Sequence, residues 1–272
     1  MSENMVVIIT GGSSGLGKAL AQRFIKDGAT VVLVARNKQK LAVAKDELLR
    51  SCEDSSKVAT FNCDVADFSA IEKTFKDIID SIGKIDILIN SAGILREGYF
   101  EKLPIKIFHE IMDINYFGTL NCIQAVIPFL KKQGGGRIVN IASLGGRFGC
   151  FGYAAYCSSK FAVAGLSDTL RCELKPLKIK IQLVCPPEFD SPMVDDLNTY
   201  RTEENRAVAQ TTTVLSIEQT ADEVFTGIMR DHYLIIPGRI SRLLDLGNRW
   251  LPSLSRAVVD YKIKRVYRGA SD

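Results

Sequence analysis

Short apolar runs of about five or six residues alternate along the chain with amphipathic stretches of helical length. This alternation is typical of βαβ units, in which a parallel sheet buries strands that are apolar on both faces. The pattern predicts seven strands, at Met5–Thr10, Val31–Ala35, Val58–Cys63, Ile85–Asn90, Arg137–Ser143, Lys180–Cys185 and Tyr233–Pro237. We therefore expect one α/β domain with a seven-stranded parallel sheet and helices on both faces.

Composition excludes several classes of protein. No apolar run approaches the roughly 18 residues of a membrane helix, and the first strand begins close to Met1, which predicts no signal peptide and a cytoplasmic chain. The seven cysteines, Cys52 among them, form no CxxC pair and only two histidines accompany them, so we expect reduced thiols and no metal site. The net charge of +4 is too small to indicate nucleic-acid binding.

A glycine-rich turn, TGGSSGLG, follows the first strand at 10–17. Glycine at Gly11, Gly15 and Gly17 permits a tight turn and lets backbone amides approach a pyrophosphate at the start of the next helix. The alternative is a structural glycine turn that binds nothing. The strand before the turn and the predicted helix after it favour a dinucleotide site.

The residues after the second strand indicate which dinucleotide is bound. An acidic residue usually stands there to bind a ribose 2′-hydroxyl, but here Arg36 follows Ala35. A guanidinium suits a 2′-phosphate, so the sequence favours NADP(H). Arg36 as an ordinary solvated loop residue is the alternative. Asp64, after the third strand, is positioned to accept a hydrogen bond from the adenine amino group.

Tyr156 and Lys160 stand four residues apart in YCSSK, so they share one face of a helix. The Lys160 ammonium should then lower the pKa of the Tyr156 phenol toward neutrality, where general acid catalysis is efficient. Ser143 is expected to close the fifth strand at the same edge of the sheet, and Asn115 lies further upstream. Each of these residues alone is more often structural; their joint occurrence indicates catalysis.

The motif at 10–17, NSAG at 90–93, Asn115, Ser143 and YCSSK together resemble the short-chain dehydrogenase/reductase family over nearly the whole chain. The resemblance implies a Rossmann fold in which Tyr156 donates a proton to the carbonyl oxygen. It further implies that Lys160 binds the nicotinamide ribose, Ser143 polarises the carbonyl and Asn115 holds a water in a proton relay.

The same resemblance, together with the turn residues, gives the expected NADP(H) contacts. They are Gly11, Ser13, Ser14, Gly15, Leu16, Gly17, Arg36, Asp64, Val65, Asn90, Ala92, Gly93, Tyr156, Lys160, Pro186, Phe189 and Ser191. Two positions depart from the family pattern: Ser91 replaces an asparagine, and Pro187 replaces a glycine. Because proline has no amide donor and stiffens the loop, Pro187 alters the contacts expected with the nicotinamide.

The stretches LGGRFGCFGYAAYCSSKFA and ELKPLKIKIQLVCPPEFDSPM are similar to the 3-ketodihydrosphingosine reductase branch of that family, over about 140–193. This similarity implies reduction of a ketone on a lipid-like substrate. Some members of the branch carry an N-terminal membrane segment; without one, a soluble or peripheral form is implied. Oxidoreduction of a hydroxysteroid, a retinol or a 3-oxoacyl compound is the alternative within this chemistry. A cofactor-binding regulatory protein without turnover is an alternative of another class.

The substrate side consists of the loop 144–153 and a lid at about 188–213. Its mostly apolar residues suit a long-chain ketone, although each could equally pack the lid onto the core; they are Leu144, Phe148, Phe151, Tyr153, Met193, Leu197 and Tyr200. The helices around 156–174 and 105–131 resemble the family's usual dimer-forming pair. We therefore expect a homodimer or homotetramer.

The tail after the last strand is strongly basic, and we assign 1–238 to the catalytic domain and 239–272 to an extension. Eight basic side chains between Arg239 and Arg268 face only Asp245 and Asp260, an excess of six positive charges. Leucine, valine and Trp250 are interleaved at helical spacing, which predicts two amphipathic helices that break near Pro252. Such helices either pack on the domain or a sister subunit, or lie on an anionic membrane surface.

Overall fold

A computed structural model describes residues 5–50, 54–211 and 213–269 and confirms the predicted fold. Seven parallel strands form one sheet in the order β3-β2-β1-β4-β5-β6-β7. The strands are β1 Val6–Thr10, β2 Thr30–Ala35, β3 Val58–Asn62, β4 Ile87–Asn90, β5 Gly136–Ile141, β6 Ile179–Val184 and β7 Leu234–Ile235.

Helices cover both faces of this sheet, as parallel strands require because each connection crosses over a face. They are α1 Gly15–Lys26, α2 Lys38–Leu49, α3 Phe68–Ile82, α4 Ile105–Met112, α5 Gly118–Lys132, α6 Ala154–Glu173, α7 Pro192–Asn198, α8 Glu203–Ala209, α9 Ile217–Met229, α10 Arg239–Trp250 and α11 Pro252–Gly269. Short 3₁₀ turns lie at Ser55–Lys57, Leu144–Gly146 and Lys175–Leu177.

Alternate residues of the central strands point to opposite faces and build two cores. Val7 and Ile9 of β1 pack with Phe24 of α1, whose ring meets Phe225 of α9 edge to face at 4.9 Å between centroids. Val6 and Ile8 point to the other face, where the core is completed by Ile71, Phe75, Ile123 and Val126 of α3 and α5. The apolar runs are therefore buried on both sides, and this burial is the main stabilising contribution to the sheet.

The strand register places the carboxyl ends of the central strands side by side. Thr10 lies opposite Asn90, and Asn90 lies opposite Asn140. The loops that follow β1, β4 and β5 therefore emerge at one edge of the sheet. The glycine-rich turn, NSAG and Ser143 lie in these loops, and Tyr156 and Lys160 lie in the helix that follows the last of them.

Two predicted boundaries are wrong in ways that matter for the site. The fifth strand ends at Ile141, so Ser143 does not close it; Ser143 instead caps the 3₁₀ turn Leu144–Gly146. The helix expected over 105–131 is interrupted between α4 and α5 by one π-helical turn, Asp113–Phe117. Periodicity cannot reveal this turn, because it adds one residue without changing the apolar character of the stretch.

The tail forms the two predicted helices, α10 and α11, and their described part packs on the rest of the chain. Arg147 forms a bidentate ion pair with Asp245 of α10, at 2.7 and 3.2 Å. Lys262 of α11 donates to the carbonyl of Ala207 in α8 at 3.3 Å. Within residues 5–50, 54–211 and 213–269, no helix combines the length and apolar composition needed to cross a membrane. Cys52, Thr212 and the tail end at 270–272 lie outside the described residues.

Candidate active site

Three of the four predicted catalytic residues come from two adjoining elements. Tyr156 and Lys160 lie one turn apart on α6, and Ser143 lies on the loop between β5 and that helix. A Cβ added to Gly145 would lie 3.5 Å from both Ser143 Oγ and the Tyr156 ring. The absence of a side chain at Gly145 therefore lets the serine hydroxyl and the phenol share one space.

Tyr156 is a neutral phenol in this site. Burial raises its pKa well above the usual range, while a hydrogen bond with Ser143 acts in the opposite direction. The expected net shift of the Tyr156 pKa toward neutrality is wrong for this arrangement, because the loss of hydration outweighs any stabilisation of the phenolate by Lys160. The phenol keeps its proton at neutral pH, which is the form that a proton donor requires.

Lys160 is buried beneath the same face of the helix. Its Nζ donates to the carbonyl of Ile141 at 2.9 Å and lies 5.7 Å from the centroid of the Tyr156 ring. Burial lowers the pKa of Lys160 to about 8. The ammonium is thus held at the end of β5 by a backbone acceptor, below the ring of the tyrosine that it was predicted to assist.

Asn115 lies in the π turn, fully buried. Its side chain donates to the Ile94 carbonyl at 3.0 Å and accepts from the Ile94 amide at 2.8 Å, which fixes the loop after β4. The amide also donates at 2.9 Å to Ser159 Oγ, which in turn donates to the Tyr156 carbonyl at 2.7 Å. Ser159 was not among the predicted residues, although it stands within YCSSK. It couples Asn115 to the catalytic helix.

The glycine turn has the shape of a phosphate cradle. Gly11 and Gly15 have positive φ values of 66° and 53°, which glycine adopts without strain. A Cβ on Gly11 would lie 2.8 Å from Ala92, and one on Gly17 would lie 2.6 Å from the Gly11 carbonyl oxygen, so both backbones approach closely. A Cβ on Gly15 would meet no heavy atom of the described chain within 4 Å.

The first turn of α1 completes this cradle. Ser14 caps the helix with extended backbone and, among the described residues, without a side-chain hydrogen bond to it. The amides of that turn therefore point at the open space, with the positive end of the helix dipole behind them. Ser13 is half-buried and Leu16 is buried in the core below. These features fit a dinucleotide pyrophosphate.

The predicted adenine-end residues lie together at the ends of β2 and β3. Arg36 Nη1 is 3.6 Å from Asp64 Oδ2, and both side chains are about half exposed. Asn62 donates to the Arg36 carbonyl at 2.6 Å and so holds the start of the loop. Val65 is buried, and a Cβ on Gly118 would lie 2.5 Å from it. The guanidinium is therefore accessible to a phosphate on a fixed backbone.

The remaining predicted cofactor residues line the loops after β4 and β6. Thr10 Oγ1 accepts from the amides of Ser91 and Ala92 at 3.2 and 3.3 Å, and a Cβ on Gly93 would lie 3.5 Å from Lys160 Nζ. The carbonyl of the buried residue Pro186 accepts a hydrogen bond from the Leu144 amide at 3.0 Å. Ser191 caps α7, and Phe189 pairs with Leu215 in an isolated bridge.

A cavity of about 80 Å³, which we call the catalytic cavity, reaches one of the four predicted catalytic residues, Ser143. Ser143, Leu144, Phe148 and Tyr153 line one side of it, and Pro187 with residues of α8 lines the other. Three of the predicted pocket residues are therefore in place. The others are not: Leu197 is buried in packing, Met193 and Tyr200 are exposed, and Phe151 packs against Tyr99.

The cavity wall also contains an ion pair that sequence reasoning missed. Arg201 donates to both carboxylate oxygens of Glu188 at 2.9 and 2.7 Å, and its Nε donates to Asn205 at 2.6 Å. Its side chain is only 5% exposed. Burial opposes the guanidinium charge, but the carboxylate of Glu188 raises the pKa of Arg201 overall. Pairing over 13 residues across the short helix α7 leaves no periodic signal in the sequence.

The comparisons with known proteins agree with the chemistry that the site indicates. The family model described as short chain dehydrogenase matches residues 5–202. Among curated relatives, 3-ketodihydrosphingosine reductase from Bos taurus is 38% identical over 84% of this chain and 69% of that protein. Its namesake from Dictyostelium discoideum is 34% identical over 89% of this chain and 78% of that protein. A 3-dehydrosphinganine reductase from Danio rerio is 36% identical over 84% of this chain and 69% of that protein.

Solved structures resemble the whole domain. Levodione reductase superposes with a TM-score of 0.79 at 27% identity, covering 86% of this chain and 96% of that one. An actinorhodin polyketide ketoreductase with NADPH gives a TM-score of 0.75 at 27% identity, covering 82% and 89%. The fold, the sequence similarity and the loops assembled at the sheet edge therefore indicate the same family. The chain belongs to the short-chain dehydrogenase/reductase family of nicotinamide-dependent oxidoreductases.

Proposed function

We propose that the chain reduces the ketone of 3-ketodihydrosphingosine with NADPH. The relatives named above support this substrate class. The observation that carries the proposal is the Glu188 carboxylate in the wall of the catalytic cavity. The substrate has a protonatable amine on the carbon next to its ketone, so a carboxylate near Ser143 complements it. Neither a steroid nor retinal has such a group.

The charge balance around Glu188 favours a cationic ligand. Arg201 is the guanidinium that fixes Glu188, and it interacts electrostatically with the buried carboxylate of Glu97 as well. Glu97 accepts hydrogen bonds from the amide and hydroxyl of Thr202, at 3.2 and 2.6 Å. Two carboxylates thus surround one guanidinium. An ammonium group would neutralise the excess negative charge, which is costly inside a protein.

The four catalytic residues take the roles that the family implies. NADPH, when bound, supplies the hydride. Ser143 polarises the carbonyl, and the neutral Tyr156 phenol transfers its proton to the oxygen that becomes the alcohol. Lys160 stabilises the phenolate that remains and binds the nicotinamide ribose, while Asn115 holds the loop after β4 and a water of the proton relay.

NADPH is the proposed cofactor because of Arg36. Its side chain is 54% exposed and its partner Asp64 is at a long 3.6 Å, so the guanidinium can turn to a 2′-phosphate. The amide end of α2, which begins at Lys38, lies directly after it. A phosphate there would meet a side-chain charge and a helix N-terminus together.

We propose a homodimer or homotetramer through α5 and α6, as in the family. Phe117 is 45% exposed next to α5, so a second copy of the chain would bury it. Light scattering on the purified protein measures the mass directly, and a monomer at micromolar concentration would contradict the proposal.

We further propose that α10 and α11 contact an anionic membrane surface, on the side that does not pack on the domain. Leu243, Trp250 and Leu251 are 68%, 73% and 58% exposed. Basic residues of both helices surround them, and each contributes about 1 kcal/mol near a charged bilayer. A substrate with a long alkyl chain partitions into bilayers, so an enzyme docked there receives it directly.

Tyr156→Phe should lower turnover by at least a thousandfold while leaving folding and NADPH binding intact, because only the transferable proton is removed. Tyr153→Phe is the matched control, since the two rings are 5.6 Å apart. It should cost less than tenfold. Comparable losses in both variants, measured as single-turnover NADPH oxidation, would contradict the assignment of the proton donor.

Arg36→Ala should weaken NADPH binding at least tenfold, about 1.4 kcal/mol, and leave NADH binding unchanged. Arg50→Ala removes the same charge at the opposite end of α2 and should change neither affinity. Titrations that follow cofactor fluorescence give the dissociation constants for NADPH and NADH. If the wild-type chain bound NADH and NADPH equally, NADP(H) preference would be refuted.

Glu188→Gln should lower kcat/KM for 3-ketodihydrosphingosine at least tenfold, through KM, because a charge-assisted contact contributes about 1.5–3 kcal/mol. The matching ketone without the amine should be unaffected. Glu203→Gln, an exposed acid on the same lid, is the control. The wild-type chain is screened against the amino ketone, steroids, retinal and 3-oxoacyl thioesters. Activity only on a steroid, on retinal or on a 3-oxoacyl thioester, or no turnover at all, would refute the proposed function.

The full chain should sediment with phosphatidylserine vesicles at low salt and be released as salt rises through the screening range. Trp250→Ser with Leu251→Ser should abolish binding, whereas Phe100→Ser, which is 71% exposed elsewhere, should not. Indifference of the wild-type chain to these vesicles would show that the tail is a packing or assembly element.

A further inference from the structure

The C-terminal helices enclose an apolar groove beside the catalytic cavity. The groove has a volume of about 570 Å³. Its apolar walls come from the loop after β5, from α8 and from both C-terminal helices, through Phe148, Val208, Leu244, Leu254, Val258 and Val259. A groove of this size lies within the roughly 300–1,000 Å³ typical of small-molecule sites.

The groove adjoins the catalytic cavity. Phe148, Val208 and Thr211 line both, so these three residues form their common boundary. The catalytic cavity, at about 80 Å³, is far below the size of a typical ligand site and admits only the reacting end of a substrate. The rest of a long substrate needs a second space, and the groove is adjacent.

We propose that this groove binds the saturated alkyl chain of the substrate, so that α10 and α11 form part of the substrate site. The proposal rests on the proposed function for the identity of the chain. It assigns to the tail a second role beside the membrane contact, because Leu254 and Val258 face the groove while Trp250 is not among its lining residues.

The surface chemistry of the groove suits an alkyl chain. Leu254 and Val258 are 60% and 45% exposed, so their apolar surface remains hydrated until a ligand covers it. Each methylene that leaves water on binding adds to the affinity. The guanidinium of Arg147, which also lines the groove, is already paired with Asp245 and so needs no anionic ligand. Affinity should therefore increase with chain length until the groove is filled.

Contacts between the loop after β5 and α10 fix the position of the groove relative to Ser143. Arg147 immediately precedes Phe148 on the loop that begins at Ser143, and its ion pair with Asp245 attaches this loop to α10. Asn248 of α10 donates to the Arg147 carbonyl at 3.3 Å. A chain lying against Phe148 is therefore held at a constant distance from the catalytic serine.

The test compares 3-ketosphingoid bases of 8, 12 and 18 carbons, reduced below their critical micelle concentrations. In the wild-type chain, kcat/KM should rise at least tenfold from 8 to 18 carbons. Leu254→Trp and Val258→Trp should each lower it at least tenfold for the 18-carbon ketone and less than twofold for the 8-carbon one. Ile240→Trp, 47% exposed on α10 and outside the groove, should match the wild type.

Binding of saturated primary alcohols of 6, 8 and 10 carbons, measured by calorimetry, tests the groove without turnover. Affinity should rise with length in the wild-type chain and lose that dependence in Leu254→Trp. If the alcohols behave so but no amino ketone is reduced, the groove stands and the proposed function fails. Affinity independent of length, equal losses at all lengths, or the same effect in Ile240→Trp would overturn the proposed role of the groove.

Discussion

Asn140 donates to Ser167 Oγ and accepts from Asn90, both at 2.9 Å, and this buried chain of hydrogen bonds ties α6 to the centre of the sheet. A buried amide that lost one partner would cost about 1–3 kcal/mol, so the arrangement tolerates little displacement. Because Asn90 lies beside Thr10 in the register, the loops after β1 and β4 are fixed by the same interaction. The positions of the phosphate cradle and the catalytic helix thus follow from one row of strand ends.

Burial disfavours the charged forms of both Tyr156 and Lys160, so it raises the pKa of the first and lowers the pKa of the second. The pKa of Lys160, about 8, is still above neutral pH, so the ammonium persists with the Ile141 carbonyl as its partner. A phenol that retains its proton beside a cation that can stabilise its conjugate base is prepared to act as a proton donor. Residue spacing alone gave the wrong direction for the pKa of Tyr156, because spacing does not report desolvation.

The sequence predicted the sheet well because its strands are apolar on both faces and end in recognisable loops. It failed where structure departs from periodicity: the π turn that presents Asn115, and the end of β5 two residues before Ser143. It also missed contacts between distant segments. Glu188 and Arg201 meet only because α7 turns the chain back, and no local pattern records such a pairing.

Polar and apolar recognition are separated around the substrate space. The ion pair of Glu188 and Arg201 lies on the lid side, where the proposed contact with Glu188 would balance the charge of a substrate ammonium group. The apolar groove lies toward the tail. Phe148 borders both spaces, and the ion pair of the preceding Arg147 fixes it to α10. The basic, partly exposed tail therefore need not serve either packing or membrane contact alone. Under the two proposals for the tail, one side completes the substrate site while the other, with Trp250 exposed, contacts the membrane.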